Sequence, residues 1–314
     1  MQTLLKMMSI ISKDISKAVK LLTANKLVAI PTETVYGLAG NIYSEQAIKS
    51  IFETKKRPFF NPLIVHIPCM DVLSTIVSHV PEKAKLLAQA FWPGSMTLVL
   101  KKQSNIPDLI TAGKDTVAVR IPNHPLTLEL LKQLPFPLAA PSANPFGNIS
   151  PTKPEHVARY FENNIEMVLD GGACTSGIES TIIGFENNEP VIYRLGALAL
   201  EDIEAVIGKV IIKNKKQISP NAPGMLDRHY APATQTLLTN NVSEEIKKHL
   251  GKRIGVLVFK SDLKNDSVTT QIILSQKGDM AEACLLYTSP SPRDEQFHLV
   301  CRLLLENGGG GGGG

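Results

Sequence analysis

Cationic and amide side chains in this chain gather where short apolar runs end. Leu27-Val-Ala-Ile30 runs into Pro31-Thr-Glu-Thr-Val-Tyr-Gly37-Leu-Ala-Gly40. The same chemistry recurs in Lys55-Lys-Arg-Pro-Phe-Phe-Asn-Pro-Leu-Ile-Val-His66, Thr116-Val-Ala-Val-Arg-Ile-Pro122, Ala140-Pro-Ser-Ala-Asn144 and Gly177-Ile-Glu-Ser-Thr181. Together they hold the donors Lys55, Arg57, Asn61, Arg120, Asn144 and Arg194 and the hydroxyls of Thr32, Thr34, Thr116, Ser142, Ser150 and Ser180. No nucleophile is paired with a base in this set. The chain also has no Gly-rich loop ending in Lys-Ser/Thr and no G-x-G-x-x-G, so neither a P-loop nucleotidase nor a dinucleotide enzyme is supported. Donors without a nucleophile suit a site that positions charged reactants and stabilises phosphate charge, leaving little covalent work to the protein.

Each residue also has an ordinary reading. Gly and Pro punctuate most loops. Lys55, Lys56 and Arg57 sit at a helix end, where cations complement the dipole by about 0.3–1 kcal/mol. His66 could be a packed histidine, Arg120 half of a surface ion pair, and Ser142 and Asn144 a turn bonded to its own backbone.

The five ordered stretches together resemble the YrdC-like family. With Ala222-Pro-Gly-Met-Leu-Asp-Arg-His-Tyr-Ala-Pro232 added, the chain resembles that family's two-domain threonylcarbamoyl-AMP (L-threonylcarbamoyladenylate) synthases over about residues 12–283. The resemblance implies a nucleotidyltransferase in which threonine and bicarbonate or carbon dioxide form a carbamate. The carbamate then attacks the α-phosphate of ATP, giving threonylcarbamoyl-AMP and pyrophosphate. It implies that Thr34, His66, Arg120 and Ser180 hold threonine. ATP would meet Arg57, Asn61, Thr116, Ala140, Ser142, Ser150, Arg194 and Tyr230, with Lys55 and Arg57 as the catalytic pair beside the reacting groups. Mg2+ would come with ATP and not in a protein metal site. The product would pass to the machinery that threonylcarbamoylates adenosine 37 of tRNA, in a cytoplasmic setting and without stable direct nucleic-acid binding. The family pattern commonly has Lys-Gly-Arg where this chain has Lys55-Lys56-Arg57, a departure that bears on loop backbone geometry and not on charge. Two other readings share the fold: a double-stranded RNA-binding module, and a hydrogenase-maturation carbamoyl-transfer domain, whose zinc-finger and acylphosphatase-like segments are absent here.

The elements that must position these residues follow from periodicity and punctuation. Ser12 reads as the N-cap of a helix carrying Ile15, Ala18, Val19 and Leu22 inward, and Ser44 as the cap of one carrying Ile48, Ile51 and Phe52. That second helix must stop near Arg57, because Pro58 disfavours helical geometry before it. Alternation from Thr116 to Ile121 puts Thr116, Ala118 and Arg120 on one face of a strand and Val117, Val119 and Ile121 on the other. Thr152 and Glu155 form a capping box with Pro154 in the first turn. Strands at 167–170, 181–185 and 191–194 and a helix at 200–207 closed by Gly208 complete one α/β domain, residues 10–208. By the resemblance it is a YrdC-like twisted mixed-sheet domain.

Residues 209–234 read as a linker, since a basic run gives way to Ser219-Pro-Asn-Ala-Pro-Gly224. Its Pro residues with Arg228, His229 and Tyr230 suit a lid over 219–232. Residues 235–283 read as a partial second, Rossmann-like small α/β domain with a helix at 242–250 and a strand at 254–259. Cys284-Leu-Leu-Tyr-Thr-Ser-Pro-Ser-Pro-Arg-Asp294 and Gly308–Gly314 read as sequencing-adapter and homopolymer artefacts, so residues 284–314 are set aside.

Composition narrows the classes. A net charge of +4 from 33 basic and 29 acidic residues is too small to mark a nucleic-acid footprint. Cys69, Cys174, Cys284 and Cys301 show neither C-x-x-C spacing nor a His partner at metal-ligand spacing, which points away from zinc and from a disulfide framework. No run approaches the ~18 apolar residues of a membrane span, and Met1–Ile11 lacks the cleavage site of a signal peptide.

Overall fold

The computed structural model describes residues 10–162, 164–213, 236–239, 241–279, 282–283 and 298–301. The chain divides into two compact units, residues 1–231 and 232–314.

The first unit opens with β1 (Ile11–Ser12), α1 (Ile15–Thr23), β2 (Val28–Ile30), β3 (Gly37–Asn41), α2 (Glu45–Lys55) and β4 (Ile64–His66). It continues through α3 (Leu73–Ile76), α4 (Glu82–Phe91), β5 (Met96–Lys101), α5 (Asp108–Thr111), β6 (Thr116–Arg120), α6 (Pro125–Gln133) and β7 (Leu138–Ala139). It closes with α7 (Pro154–Phe161), β8 (Met167–Leu169), β9 (Thr181–Glu186), β10 (Glu189–Arg194), α8 (Leu200–Ile207) and β11 (Ile211–Ile212). These strands form one sheet in the order β1-β8-β2-β3-β7-β4-β6-β5-β9-β10-β11. The sheet is mixed: β4 and β6 run parallel, with Ile64 opposite Ala118 and His66 opposite Arg120, whereas β7 and β5 run antiparallel on either side of that pair.

Strand alternation sorts the core into two faces. Ala29, Leu38, Val65, Val119 and Ala139 point to one face, where Ile48, Ile51 and Phe52 of α2 and Ala84 and Leu87 of α4 cover them. Val28, Ile30, Ala39, Leu138 and Met167 point to the other, against Ala18 and Leu22 of α1 and Leu130 and Leu131 of α6. Farther along that second face, Ile64, Val99, Ala118, Ile182, Val191 and Tyr193 form a cluster to which, among the described residues, no helix contributes. The change from helix-covered to uncovered sheet falls between β7 and β4, and the two strands' ends bring Ala140 and His66 there.

Three local expectations are corrected. Ser12 belongs to β1, and Asp14 caps α1 instead, its Oδ1 accepting from Lys17 N at 2.9 Å. Thr152 and Glu155 form no capping box: Pro154 opens α7 and moves the cap to Lys153, which has no side-chain cap bond. Thr152 N donates instead to His156 Nδ1 at 3.3 Å, an acceptor that stays neutral because burial, then Lys153 and Arg159, lower His156 to about 4. The first unit does not end at Gly208, since β11 pairs in parallel with β10 and Lys213 N donates to Ile192 O at 2.8 Å. By contrast Ser44 caps α2 as expected, its Oγ accepting from Ala47 N at 3.2 Å.

The second unit contains β12 (Thr236–Leu238), α9 (Val242–Lys248), β13 (Ile254–Val258), β14 (Thr270–Ile273) and β15 (His298–Cys301). Its parallel sheet has the order β12-β15-β13-β14, over a small core of Val242, Ile246, Ile254, Val256 and Val258. β15 lies inside the segment set aside from the sequence, yet it occupies an interior position between β12 and β13. Residues 219–232, the expected lid, lie outside the described residues. Among the described residues no helix is long and apolar enough to cross a membrane.

Candidate active site

A cleft opens on the second face of the sheet, where the helical cover of the described residues stops. Its walls bring together Thr34, Lys55, Arg57, Asn61, His66, Arg120, Ala140, Ser142 and Ser180, drawn from all five strand-end stretches, together with Arg194. Ser150 reaches the wall through Glu179, to which its hydroxyl donates at 2.5 Å. Thr116 starts β6, half-buried, on the same face as Arg120 but outside the lining. Tyr230 lies outside the described residues.

The strand-to-loop turn after β2 sets the first wall. Pro31 ends the strand, and Thr32 Oγ1 takes the amides of Thr34 and Val35 at 3.2 and 3.1 Å while donating to Val35 O at 2.6 Å. This hydroxyl turn holds Thr34 rigidly in the cleft. Thr34 Oγ1 lies 2.8 Å from Thr32 Oγ1 and accepts from Arg120 Nη1 at 2.9 Å. Arg120 is 4% exposed, and its Nη2 meets Glu33 Oε1 at 2.6 Å. It is a buried ion pair and not a surface one.

The Lys55–Asn61 corner makes the opposite wall. Neither cation serves the dipole of α2, because both bond main-chain carbonyls elsewhere. Lys55 Nζ donates to Ser142 O and Asn144 O, clamping the β7 loop against the end of α2. Arg57 donates from Nε to Asn61 O at 3.2 Å and from Nη2 to Pro62 O at 2.8 Å, which closes the corner on itself. Burial first, and then the neighbouring Arg57 charge, pull Lys55 well below the usual lysine range. Burial first, and then Arg194, bring Arg57 down to about 9, which still leaves it charged at neutral pH. Arg194 donates from Nη2 to Ser180 O at 2.8 Å and to Ser180 Oγ at 3.2 Å, and Ser180 Oγ lies 2.7 Å from Thr97 Oγ1. Glycine is required beside this group: a Cβ on Gly196 would stand 2.3 Å from Glu179 O.

Among the described residues four cationic side chains thus line the cleft against one lining carboxylate, Glu179, while Glu33 stands behind Arg120. An anion entering would relieve their mutual repulsion. Among the described residues four buried side-chain polar atoms lack a hydrogen-bond partner, and three of them, Asn61 Oδ1, His66 Nδ1 and Asn144 Oδ1, belong to residues lining this cleft. Asn144 Nδ2 is committed to Pro145 O and Asn148 O at 3.0 and 2.8 Å, so its Oδ1 is free for a donor from outside. His66, 3% exposed, is held neutral by burial and by Arg120, which lower it to about 3. Buried polar atoms left unpaired are costly and mark places where a ligand completes the bonding.

Sequence reasoning assigned no role to Glu33, Glu179 or Thr97. A signal existed for the first two, since each is a carboxylate inside an otherwise buried stretch, which requires a partner. Which arginine or hydroxyl supplies it depends on contacts across the fold.

The Sua5/YciO/YrdC family description, "Telomere recombination", matches residues 20–196, and "Threonylcarbamoyl-AMP synthase, C-terminal domain" matches residues 198–289. A Pyrococcus abyssi protein named threonylcarbamoyl-AMP synthase is 44% identical over 74% of this chain and 72% of its own length. A Bacillus subtilis protein of the same name is 44% identical over 78% of this chain and 73% of its own. The crystal structure of P. abyssi Sua5 complexed with L-threonine superposes with a TM-score of 0.83 at 38% identity, covering 92% of this chain and 88% of that one. Escherichia coli YciO, at 22% identity and a TM-score of 0.55, shares the fold.

Proposed function

Because the chain belongs to the Sua5/YciO/YrdC family, matched over residues 20–196 and by relatives 44% identical, we propose that it acts as a threonylcarbamoyl-AMP synthase. The observation that carries the reading is the cleft itself: a buried surplus of positive charge beside three unpaired polar atoms, with no nucleophile–base pair among the lining residues. Such a site binds and orients charged reactants and performs no covalent step of its own.

The amine nitrogen of L-threonine forms a bond to the carbon of carbon dioxide and gives up a proton to solvent, or takes that carbon from bicarbonate with release of water, which gives a carbamate. One carbamate oxygen forms a bond to the α-phosphorus of ATP as the bond to the pyrophosphate oxygen breaks, and the leaving group takes the electron pair. Thr34, His66, Arg120 and Ser180 form the threonine end. Their hydroxyls and the neutral imidazole suit an amino acid that carries its own hydroxyl. Arg57, Asn61, Ser142, Ser150 and Arg194 form the nucleotide end, where Arg57 stabilises charge developing on phosphate and Lys55 fixes the loop that faces it. Ala140 contributes wall, and Thr116 and Tyr230 complete the nucleotide set implied by the family pattern.

Magnesium fits this donor set as a companion of the nucleotide. Among the described residues no three His, Cys, Asp or Glu side chains converge on one point. Mg2+ is commonly held by one or two carboxylates together with substrate phosphates, and Glu179 is the lining carboxylate not ion-paired to a cation. Bound there, the ion would neutralise phosphate charge. The product, a mixed anhydride, would pass to a separate enzyme that transfers the threonylcarbamoyl group to tRNA. Duplex RNA binding asks for cations on an open face, whereas Lys55 and Arg120 are 1% and 4% exposed.

Pyrophosphate release from ATP by the full chain tests the reading. Release is expected only when L-threonine and bicarbonate are both present, and release indifferent to threonine would overturn it.

A further inference from the structure

Glu33 lies at the meeting point of four segments that build one end of the cleft. Its Oε1 accepts from Arg120 Nη2 at 2.6 Å and from Ser95 Oγ at 3.2 Å, and its Oε2 accepts from Asn123 N at 2.9 Å. Its main-chain carbonyl takes the amides of Thr175 and Ser176 at 3.0 and 2.8 Å, at the start of the segment that leads to Glu179 and Ser180. The carboxylate itself is 8% exposed and does not line the cleft. It can act on a ligand only through Arg120.

Arg120 has five N–H bonds, fixed in one plane. Three are committed: Nε to Gly94 O at 3.1 Å, one on Nη1 to Thr34 Oγ1 at 2.9 Å and one on Nη2 to Glu33. Two remain, one on each terminal nitrogen, the number that a carboxylate accepts in a two-pronged contact. Gly94 and Thr34 hold one edge of the plane, and Glu33 holds the second terminal nitrogen. Without Glu33 the plane could turn about its remaining anchors. Glu33 also offsets part of the charge of Arg120 where it stands, so this end of the cleft offers directed hydrogen bonds with less net positive charge than the Lys55–Arg57 end. The Lys55–Arg57 end has no such carboxylate, and a polyanion is attracted there.

We propose that Glu33 is a positioning residue that orients Arg120 and offsets its charge, so that this end of the cleft takes an amino-acid carboxylate in preference to phosphate. The proposal rests on the synthase reading given above. Its consequence is selective: loss of Glu33 should weaken threonine and leave the ATP end alone.

The test compares wild type, Glu33→Gln and Ser95→Ala in pyrophosphate release and in thermal shift. In E33Q the threonine KM is expected to rise about tenfold to a hundredfold, the range for one hydrogen bond to a charged group. The ATP KM and kcat should stay within about threefold, the pattern of lost ground-state binding. Inhibition by added pyrophosphate should become tighter, since the cleft gains net positive charge. The melting-temperature rise that L-threonine produces in wild type should vanish in E33Q, while the rise produced by ATP persists. S95A deletes one hydrogen bond on Oε1 and keeps the ion pair, so it serves if E33Q fails to fold. There the threonine KM should rise about twofold to fivefold, less than in E33Q because the ion pair is kept, at unchanged ATP KM. Unchanged threonine KM in the folded variants, or equal losses for threonine and ATP, would overturn the positioning role while leaving an active wild type and the synthase reading intact. A wild type without threonine-dependent release would overturn both.

Discussion

The two ends of the cleft solve opposite electrostatic problems. At one end Arg120 is ion-paired at 2.6 Å to a carboxylate buried with it, and every contact of that carboxylate is a hydrogen bond from a named donor. At the other, Lys55 and Arg57 bond only main-chain carbonyls, and among the described residues no carboxylate lies within ion-pairing distance of either. Burial opposes the charges of Lys55 and Arg57, and so do their neighbours, Arg57 acting on Lys55 and Arg194 on Arg57. A balanced end suits a zwitterionic amino acid, and an uncompensated end suits a triphosphate. The difference also separates folding from function. The paired arginine is part of what holds the first unit together, while the unpaired cations are held in place by the fold for a charge that arrives from outside.

Removing one arginine from each end should therefore break the molecule in different ways. Arg120→Ala leaves Glu33 buried without its cation, held only by Ser95 Oγ and Asn123 N, and breaking a buried pair typically costs about 3–5 kcal/mol. Chemical denaturation should show that loss at an unchanged m-value, and a loss below about 1 kcal/mol would mean that water already solvates the pair. Arg57→Ala removes two hydrogen bonds to main-chain carbonyls together with a cation whose charge the apo protein opposes, so the stability loss should stay below about 1.5 kcal/mol, well under that of Arg120→Ala. Turnover should nevertheless fall by about 10²–10³, as when a donor aimed at developing charge is lost. An Arg57→Ala enzyme with normal turnover would reduce that corner to a structural latch on Asn61 and Pro62.

Much of the site was legible because its cations and amides sit at strand ends, where the end of an apolar run can be read directly. Alternation in 116–121 placed Arg120 on the face opposite Val117 and Val119, and the structure buries those valines in the main core. Local signals failed where two neighbours competed. Ser12 and Asp14 are both capping residues, and the pairing of Ile11 with Val168 took Ser12 into a strand. Ile211 and Ile212 were hidden inside a lysine-rich run, and only the edge of β10, distant in sequence, makes them a strand. Glu33 was visible as a residue but not as a partner, since Arg120 lies 87 positions away. Strand order was illegible for the same reason: β2 pairs with β8 on one side, and neither segment contains a mark that names the other.

The smallest expected effect lies at the uncompensated end itself, at Lys56, where the family pattern commonly has glycine between lysine and arginine. Lys56 has φ 51° and ψ 40°, in the left-handed region, immediately after α2. Arg57 N bonds Phe52 O at 2.8 Å and Lys56 N bonds Glu53 O at 3.0 Å, the paired hydrogen bonds of a Schellman ending. That geometry aims Arg57 into the cleft, and the sequence keeps it with a lysine where glycine would adopt it without steric cost. A left-handed non-glycine residue costs about 1–2 kcal/mol, against which glycine loses about 0.4–1 kcal/mol through its freer unfolded chain. Lys56→Gly should therefore stabilise the first unit by about 0.5–1 kcal/mol, read as a raised denaturation midpoint. Because the Lys56 side chain is exposed and outside the lining, kcat/KM for both substrates should stay within about twofold. A variant that gained stability but lost ATP affinity would show that Lys56 itself extends the uncompensated end to the rim, and that the lysine is retained for its charge in spite of its backbone.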